Sequence, residues 1–342
     1  MDGSNWEHVR WFPKVQDSSV RAFSAAIPLA ISATAARAAP LHYLSGVGAQ
    51  SASVVPLTWG LLVVSVVVIA IITVLLACAI WRRRPAMDAG AVLPEGGGLN
   101  WLWIGGGLST LALLVTVGWT VKVLADIQAS PVTPALSIEV TGRQWWWQVR
   151  YQREGQSFVT ANEIHIPVGM PVKLSLVGGD VIHSFWVPQL AGKMDAIPGQ
   201  INQTWLQANK AGVFTGQCTE YCGAQHAKML LRVIAEPQES FQRWWADQLS
   251  APRGVEGEAL FVQHCGNCHA VRGTQADGSM GPDLSHLMQR HTLASGVLPN
   301  DPATLRRWIA DPQSLKPGNR MPALKLSPVQ FDAIQAYLVG LT

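Results

Sequence analysis

Cys218, Cys222, His226 and Met229 all lie within the stretch GQCTEYCGAQHAKM, Gly216 to Met229. Thiolate, imidazole and thioether together select copper or another soft metal over magnesium or calcium. A one-copper blue site takes two histidines, one cysteine and a weak axial methionine. Here there are two cysteines, and a second thiolate lets two sulfurs bridge two coppers. Sharing one electron across such a pair spreads the charge change, so little of the surroundings must rearrange on transfer. A second imidazole has to come from elsewhere, because one loop cannot surround a metal. DVIHSFWVP supplies His183 at an expected strand end. Two other readings exist. Zinc could use Cys-x3-Cys-x3-His but has little use for the methionine. A disulfide inside CTEYC would be strained and leaves His226 and Met229 unexplained.

Cys265, Cys268 and His269 form CGNCH, the attachment pattern of a c-type haem. The spacing lets two thiols bond the vinyl groups while His269 reaches the iron from one face. Zinc and redox elements can carry the same five residues. The next segment favours haem, because MGPDL resembles the loop whose proline carbonyl orients the proximal histidine, which gives Pro282 that role. GNRMPAL offers Met321 as the sixth ligand, just before the C-terminal helix. A Met/His pair raises the haem potential, which suits a donor to copper. Met280 follows His269 too closely, on the proximal side, and Met288 is expected in a helix. His165, His264, His286 and His291 read as structural, packing or surface residues, and Cys78 lies in an apolar run.

Both ligand sets need a scaffold, and the composition says where it sits. The chain has 342 residues, 49% hydrophobic and 14% charged. Soluble domains carry about 25% charged residues, so membrane spans are expected. The net charge of +3, with no long basic run, argues against a nucleic-acid partner. Arg10, Lys14 and Arg21 precede AFSAAIPLAISATAARAAP, the pattern of a signal peptide over residues 1–39 cleaved near Ala38 or Ala39. Residues 40–126 read as a two-helix anchor with spans at about 54–81 and 101–123, each long enough for a bilayer. Trp101, Trp103 and Trp119 sit near the ends of the second span as interfacial aromatics do. Arg82, Arg83 and Arg84 fall between the spans, so the positive-inside rule puts that loop in the cytoplasm and everything after about Asp126 outside.

From Ser137 to about Ala235 short apolar/polar alternation broken by Gly and Pro predicts an all-β sandwich, within a domain at 133–236. ESFQRWWADQL reads as a short helical link and APRGVEG as a polar hinge. From Gly257 the period becomes helical, with Gly257, Leu260, Phe261, His264 and Cys268 on one face. Asp301-Pro302 and Ser327-Pro328 start two further helices. Phe331, Ile334, Tyr337, Leu338 and Leu341 form an apolar stripe on the last one. The fold class is a multidomain membrane protein: two transmembrane helices, an all-β cupredoxin sandwich, then an all-α cytochrome domain at 254–342.

DVIHSFWVPQLAGKMDAIPGQINQT followed by CTEYCGAQHAKM resembles subunit II of the haem–copper cytochrome c oxidases, over roughly Val54 to Glu236. The resemblance implies a binuclear CuA centre with ligands His183, Cys218, Cys222, His226 and Met229 and the backbone carbonyl of Glu220. It implies that the Glu220 side chain serves a magnesium shared with subunit I. It also implies that the run Trp145 to Trp147 lies near the surface, with Trp145 receiving the electron; plain β-core packing is the alternative for that run. Residues 254–342 resemble a class I cytochrome c domain, with Gly257 and Phe261 crossing Tyr337. The fusion resembles the caa-type branch of the family. The implied partners are subunit I, subunit III, membrane lipid, and a cytochrome or a quinol-oxidising complex as donor. The implied location is a bacterial plasma membrane, with both domains on the periplasmic side.

Charge fits an internal donor. Arg143, Arg150, Arg153, Lys173, Lys193, Lys210, Lys228 and Arg232 face Glu139, Glu154, Glu163, Asp180, Asp195 and Glu220. A domain that captures a basic cytochrome from solution is expected to show an acidic face instead; a tethered donor is held at high effective concentration by its linker. One departure concerns protons. Many relatives carry a glutamate just before the second span, whereas GGGLNWLW has Asn100 and no acid nearer than Glu95. The rival readings are the CuA subunit of a nitric oxide reductase, a membrane-anchored electron carrier without an oxidase partner, and a copper-delivery protein. The last needs an exchangeable site, which a six-contact ligand set beside a haem opposes.

Overall fold

The computed structural model describes residues 41–82, 99–128, 130, 132–252 and 256–342. The expected signal peptide, Arg83, Arg84 and Glu95 lie outside the described residues.

Two helices, α1 (Ala49–Trp81) and α2 (Leu99–Gln128), are long and apolar enough to cross a membrane. Their side chains face outward, with 0% and 6% of the most apolar windows buried, unlike the core helix of a soluble protein. They pack together where Gly60 admits the Trp119 ring, since a Cβ there would stand 2.5 Å from it. Both run past the apolar stretches read from sequence, because their outer turns dock on the following domain. Gln50 and Ser51 are buried, Gln50 Nε2 donates to Trp205 O at 2.8 Å, and Trp205 Nε1 donates to Ile127 O at 3.0 Å.

The sandwich holds two five-stranded sheets. The first contains β1 (Leu136–Arg143), β2 (Trp146–Arg153), β3 (Gln156–Ala161), β5 (Val172–Gly178) and β8 (Asn202–Leu206), in the order β3-β2-β1-β5-β8. The second contains β4 (Glu163–Pro167), β6 (His183–Trp186), β7 (Met194–Ala196), β9 (Gly212–Cys218) and β10 (Leu230–Glu236), in the order β4-β10-β9-β6-β7. The β1·β5 and β4·β10 pairs are parallel and the rest antiparallel. Alternate residues of β1 and β5 point inward, so Ile138, Val140, Leu174 and Leu176 meet Phe185 and Val233 between the sheets. Helix α3 (Gln238–Leu249) closes one end by burying Phe241 and Trp245 against Tyr151 and Phe158.

The run Trp145 to Trp147 does not lie along the surface as expected. On a strand successive side chains take opposite faces. Trp147 is fully buried against His183 and Phe185, Trp146 is buried on the other side, and Trp145 alone is half-exposed.

The last domain is built from α4 (Glu258–Cys265), α5 (Pro302–Ala310), α6 (Pro312–Leu315), α7 (Pro328–Val339) and a two-stranded ribbon, β11 (Thr292–Leu293) with β12 (Leu298–Pro299). The start signals act as the sequence predicts. Asp301 caps α5 by accepting from Thr304 N, and Ser327 and Gln330 cap α7 reciprocally. Helices α4 and α7 cross at Gly257, where a Cβ would come within 2.4 Å of Ala333 O, and Phe261 packs on Tyr337 at 5.1 Å between rings. Two expectations shift. Helix α4 stops at Cys265, so Cys268 belongs to the turn after it, and Met288 sits in a short 3-10 turn, Leu287–Gln289.

Candidate metal and haem centres

Strand β6 begins with His183, fully buried, and β9 ends with Cys218, two neighbouring strands of one sheet. The loop after β9 returns Cys222, His226 and Met229 to the same point. Cys218 Sγ stands 3.8 Å from Cys222 Sγ and 3.9 Å from His183 Nδ1. Cys222 Sγ stands 3.6 Å from His226 Nδ1 and 3.8 Å from Met229 Sδ. The Glu220 carbonyl lies 3.2 Å from Cys218 Sγ. Donors bound at about 2.0–2.3 Å to a common ion stand roughly 3–4.6 Å apart, so every one of these spacings suits a shared metal. No disulfide joins the two thiols. All the residues expected from the sequence therefore converge here.

Protons complete the picture. A carboxylate only accepts, so the 2.8 Å contact to Asp180 Oδ1 fixes the proton on His183 Nε2 and leaves the Nδ1 lone pair facing the sulfurs. The two thiols share one hydrogen bond, which holds Cys218 well below the usual thiol range and pushes Cys222 well above it. Both sulfurs would bind a soft ion as thiolates, and the proton they share would be released to solvent as the ion binds. Two supports were not read from the sequence. Asp180 is one, although its Asp-x-x-His spacing was a usable signal. Gly142 is the other, where a Cβ would stand 2.7 Å from the His183 ring. Asp180→Ala is expected to weaken copper binding by about 10–100-fold with the haem unchanged, as measured by competition with a chelator.

In the last domain Cys268 N and His269 N both donate to Cys265 O, folding CGNCH into one tight turn. Burial pushes the Cys265 thiol up to about 11. His269 Nδ1 donates to Pro282 O at 2.8 Å, so Nε2 keeps its lone pair. Burial also lowers the His269 pKa, which keeps the ring neutral. His269 and Met321 line one open cavity with Leu287, Leu305, Trp308 and Ile309. That apolar lining between a nitrogen and a sulfur donor suits a flat organic cofactor. Arg290, also on the wall, has a buried Nε with no hydrogen-bond partner among the described residues, a donor that an acidic group on such a cofactor would satisfy. The residues present fit a haem. Met280 is 66% exposed and absent from the cavity lining, and Met288 is likewise absent. A Cβ on Gly281 would stand 2.6 Å from the His269 ring. Gly281→Ala is expected to turn that ring and lower the yield of correctly ligated haem, read from the absorption spectrum after maturation.

The two candidate centres are joined by hydrogen bonds. Trp145 Nε1 and Gln144 Nε2 donate to Cys222 O at 2.9 and 2.8 Å. From the other domain, Lys316 Nζ donates to Trp145 O at 2.9 Å, and Arg320 donates to Gln144 Oε1 at 2.6 Å. Lys316 is 3% exposed, and burial, with Lys228 nearby, pushes it down to about 7. Sequence gave no sign of this role, since a lysine in SLKPGN looks like any loop charge.

Comparison with known proteins bears on both domains. The family described as cytochrome C oxidase subunit II, periplasmic domain, matches residues 152–236, and the cytochrome c family matches residues 254–342. Cytochrome c oxidase subunit 2 of Alkalihalophilus pseudofirmus is 37% identical over 291 residues, covering 81% of this chain and 83% of that one. The chain belongs to the cytochrome c oxidase subunit II family. Cytochrome c oxidase subunit 2 of Bacillus sp. strain PS3 is 34% identical over 253 residues, covering 68% of this chain and 70% of that one. Among solved structures, the periplasmic domain of subunit II of cytochrome oxidase from Bradyrhizobium japonicum shares 34% identity, with a TM-score of 0.33, over 35% of this chain and 96% of that one. As a subunit II the chain is membrane-anchored, works beside other oxidase subunits, and pairs a copper-binding cupredoxin domain with a haem-binding cytochrome c domain.

Proposed function

We propose that this chain is the electron-receiving subunit of a terminal respiratory oxidase of the caa type. When bound, the cofactors would supply one-electron storage, and the chain would pass electrons one at a time from an external donor through covalent haem c and the CuA pair to haem a in subunit I, where four electrons and four protons reduce one oxygen to two waters. The observation that carries this reading is the pair of hydrogen bonds Lys316–Trp145 O and Trp145–Cys222 O, which join the cytochrome segment leading to Met321 to the copper loop.

Each residue then has a task. Cys265 and Cys268 would hold the haem covalently, His269 and Met321 would offer a nitrogen and a sulfur to its iron, and Pro282 fixes the ring of the first. His183, Cys218, Cys222, His226, Met229 and the Glu220 carbonyl hold the copper pair in a buried site that shields it from water. Trp145 is the half-exposed aromatic between the two sites. Met321 N donates to Asn319 Oδ1, and Asn319 Nδ2 donates to Lys316 O, so the ligand loop and the bridging lysine move as one piece. The Glu220 carboxylate, which has no hydrogen-bond or ion-pair partner among the described residues, would serve a magnesium at the subunit I boundary.

With the arginine-bearing loop on the cytoplasmic side of a bacterial plasma membrane, both domains face the periplasmic side, where haem attachment takes place. Subunits I and III are the partners, and a cytochrome or a quinol-oxidising complex is the donor. Proton translocation belongs to the assembled enzyme; Asn100 supplies no acid for proton uptake.

Purification of the assembled complex tests this. We expect two coppers and one covalent haem per copy of this chain, a co-purifying subunit with haem and histidine-bound copper, and oxygen consumption. Consumption of nitric oxide without oxygen would assign the chain to a nitric oxide reductase. Recovery of the loaded chain with no such subunit would make it a free-standing electron carrier.

A further inference from the structure

The haem cavity is not built by the cytochrome domain alone. Asn162, of the copper domain, lines it together with His269 and Met321. The next residue, Glu163, is 2% exposed, and its carboxylate is spent entirely across the domain boundary. It accepts from His291 N at 3.0 and 2.9 Å, contacts His291 Nδ1 at 3.2 Å, and accepts from Thr292 Oγ1 at 2.7 Å. Arg290, Thr292, Leu293 and Ala294, on the segment so held, all line the cavity.

The same segment carries strain. Ala294 and Ser295 are non-glycine residues with φ of 52° and 62°, and Gly296 follows at 81°. Such residues persist only where their surroundings hold them. What holds them comes largely from the cross-domain contact: Leu230 N donates to Ser295 O at 3.1 Å, and Ser295 Oγ donates to Leu230 O at 2.9 Å. Lys316 Nζ, which also reaches Trp145 O, donates to Ala294 O at 3.1 Å. A buried carboxylate with hydrogen-bond donors from one loop is a fastener, because removing it takes the charged acceptor from all of those donors at once, the buried Thr292 hydroxyl among them.

We infer that Glu163 is a positioning residue: it clamps the 290–296 segment of the cytochrome domain onto the copper domain, fixing one haem wall and one docked pose for electron transfer. The pose is then set by a specific interface, and the linker only keeps the domains together. The inference rests on the assignment of this cavity to haem, but its first readout does not.

The amide of Leu230 belongs to the copper domain and is bonded to the cytochrome domain, and Glu163 does not touch it. Its hydrogen exchange in the full, cofactor-loaded chain therefore reports opening of the interface. Glu163→Ala is expected to speed that exchange at least about tenfold, because the bonds to one buried charge are worth more than a tenfold change in an equilibrium. Amides of β1 in the copper-domain core should be unchanged. Glu163→Gln, which keeps an acceptor for His291 N, should fall between. The second readout is single-turnover transfer from haem to copper, expected to slow in the alanine variant at unchanged copper and haem content. Unchanged exchange at Leu230 would overturn the clamp, and equal acceleration of the β1 amides would reduce Glu163 to ordinary fold support. Faster exchange with unchanged transfer would leave the clamp standing and refute its part in electron transfer. If the alanine variant does not fold, Thr292→Val removes one bond to Glu163 and is read at the same amide; no acceleration there overturns the inference too.

Discussion

Cys222→Ser is expected to remove the paired-copper spectrum and to lower oxidase turnover by more than about 100-fold. That exceeds the roughly 10–100-fold that loss of a merely supporting bond costs. The reason lies in the position of this sulfur. It stands within 3.6–3.8 Å of three other donors, the Cys218 sulfur, His226 Nδ1 and the Met229 sulfur. A hydroxyl in its place is a hard, protonated donor that cannot bridge two soft ions. The rest of the site stays in place, because Gln144 and Trp145 grip the backbone carbonyl of Cys222, which the substitution leaves intact. Haem content should therefore be unchanged, and copper should fall from two per chain to one or none. An unaltered copper spectrum in the variant would refute the bridging assignment.

Met321→Ala is expected to leave the haem attached but to lower its reduction potential by a sizeable part of the about 0.8 V that axial ligands span. The loop should keep its shape without the sulfur. Met321 N donates to Asn319 Oδ1 and Gln313 Nε2 donates to Met321 O, and both bonds are made by the backbone of residue 321. The loss is then one of ligation alone, seen by redox titration as a lower midpoint with two thioether bonds intact. A variant with an unchanged potential would point to another sixth ligand. Met280, 66% exposed, and Met288, in the 3-10 turn, are both poorly placed to be that ligand.

The two ligand sets were legible in the sequence because chemistry constrains their spacing more tightly than packing does. CGNCH must fit one porphyrin edge, and the copper loop must return a sulfur and a ring to one point, so both patterns survive on any scaffold. The strands and helix starts were legible for a similar local reason, as the caps at Asp301 and Ser327 show. What sequence could not show was set by contacts between distant segments. Glu163 sits in an alternating strand and reads as a solvated charge, yet its bonds run to residues 291 and 292. Lys316 is buried with its ammonium bonded across the domain boundary to Trp145 O. The three tryptophans from 145 to 147 read as one aromatic patch, but Trp145 sits in the turn before β2 and strand alternation sends Trp146 and Trp147 to opposite faces. The linker argument captured proximity and missed that the cytochrome domain is seated by specific bonds. The apolar count marked the stretches for the bilayer and missed the outer turns that carry Gln50 and Trp205 contacts.

The most direct test is to inject one electron into the haem of the oxidised, detergent-solubilised chain from an added photoreductant excited by a light flash, with a sacrificial donor to block its return, and follow both cofactors. The account predicts that the haem loses its electron as the copper pair gains it, in a first-order process whose rate does not change on dilution. A rate proportional to protein concentration, or a haem that stays reduced while the copper remains oxidised, would contradict it.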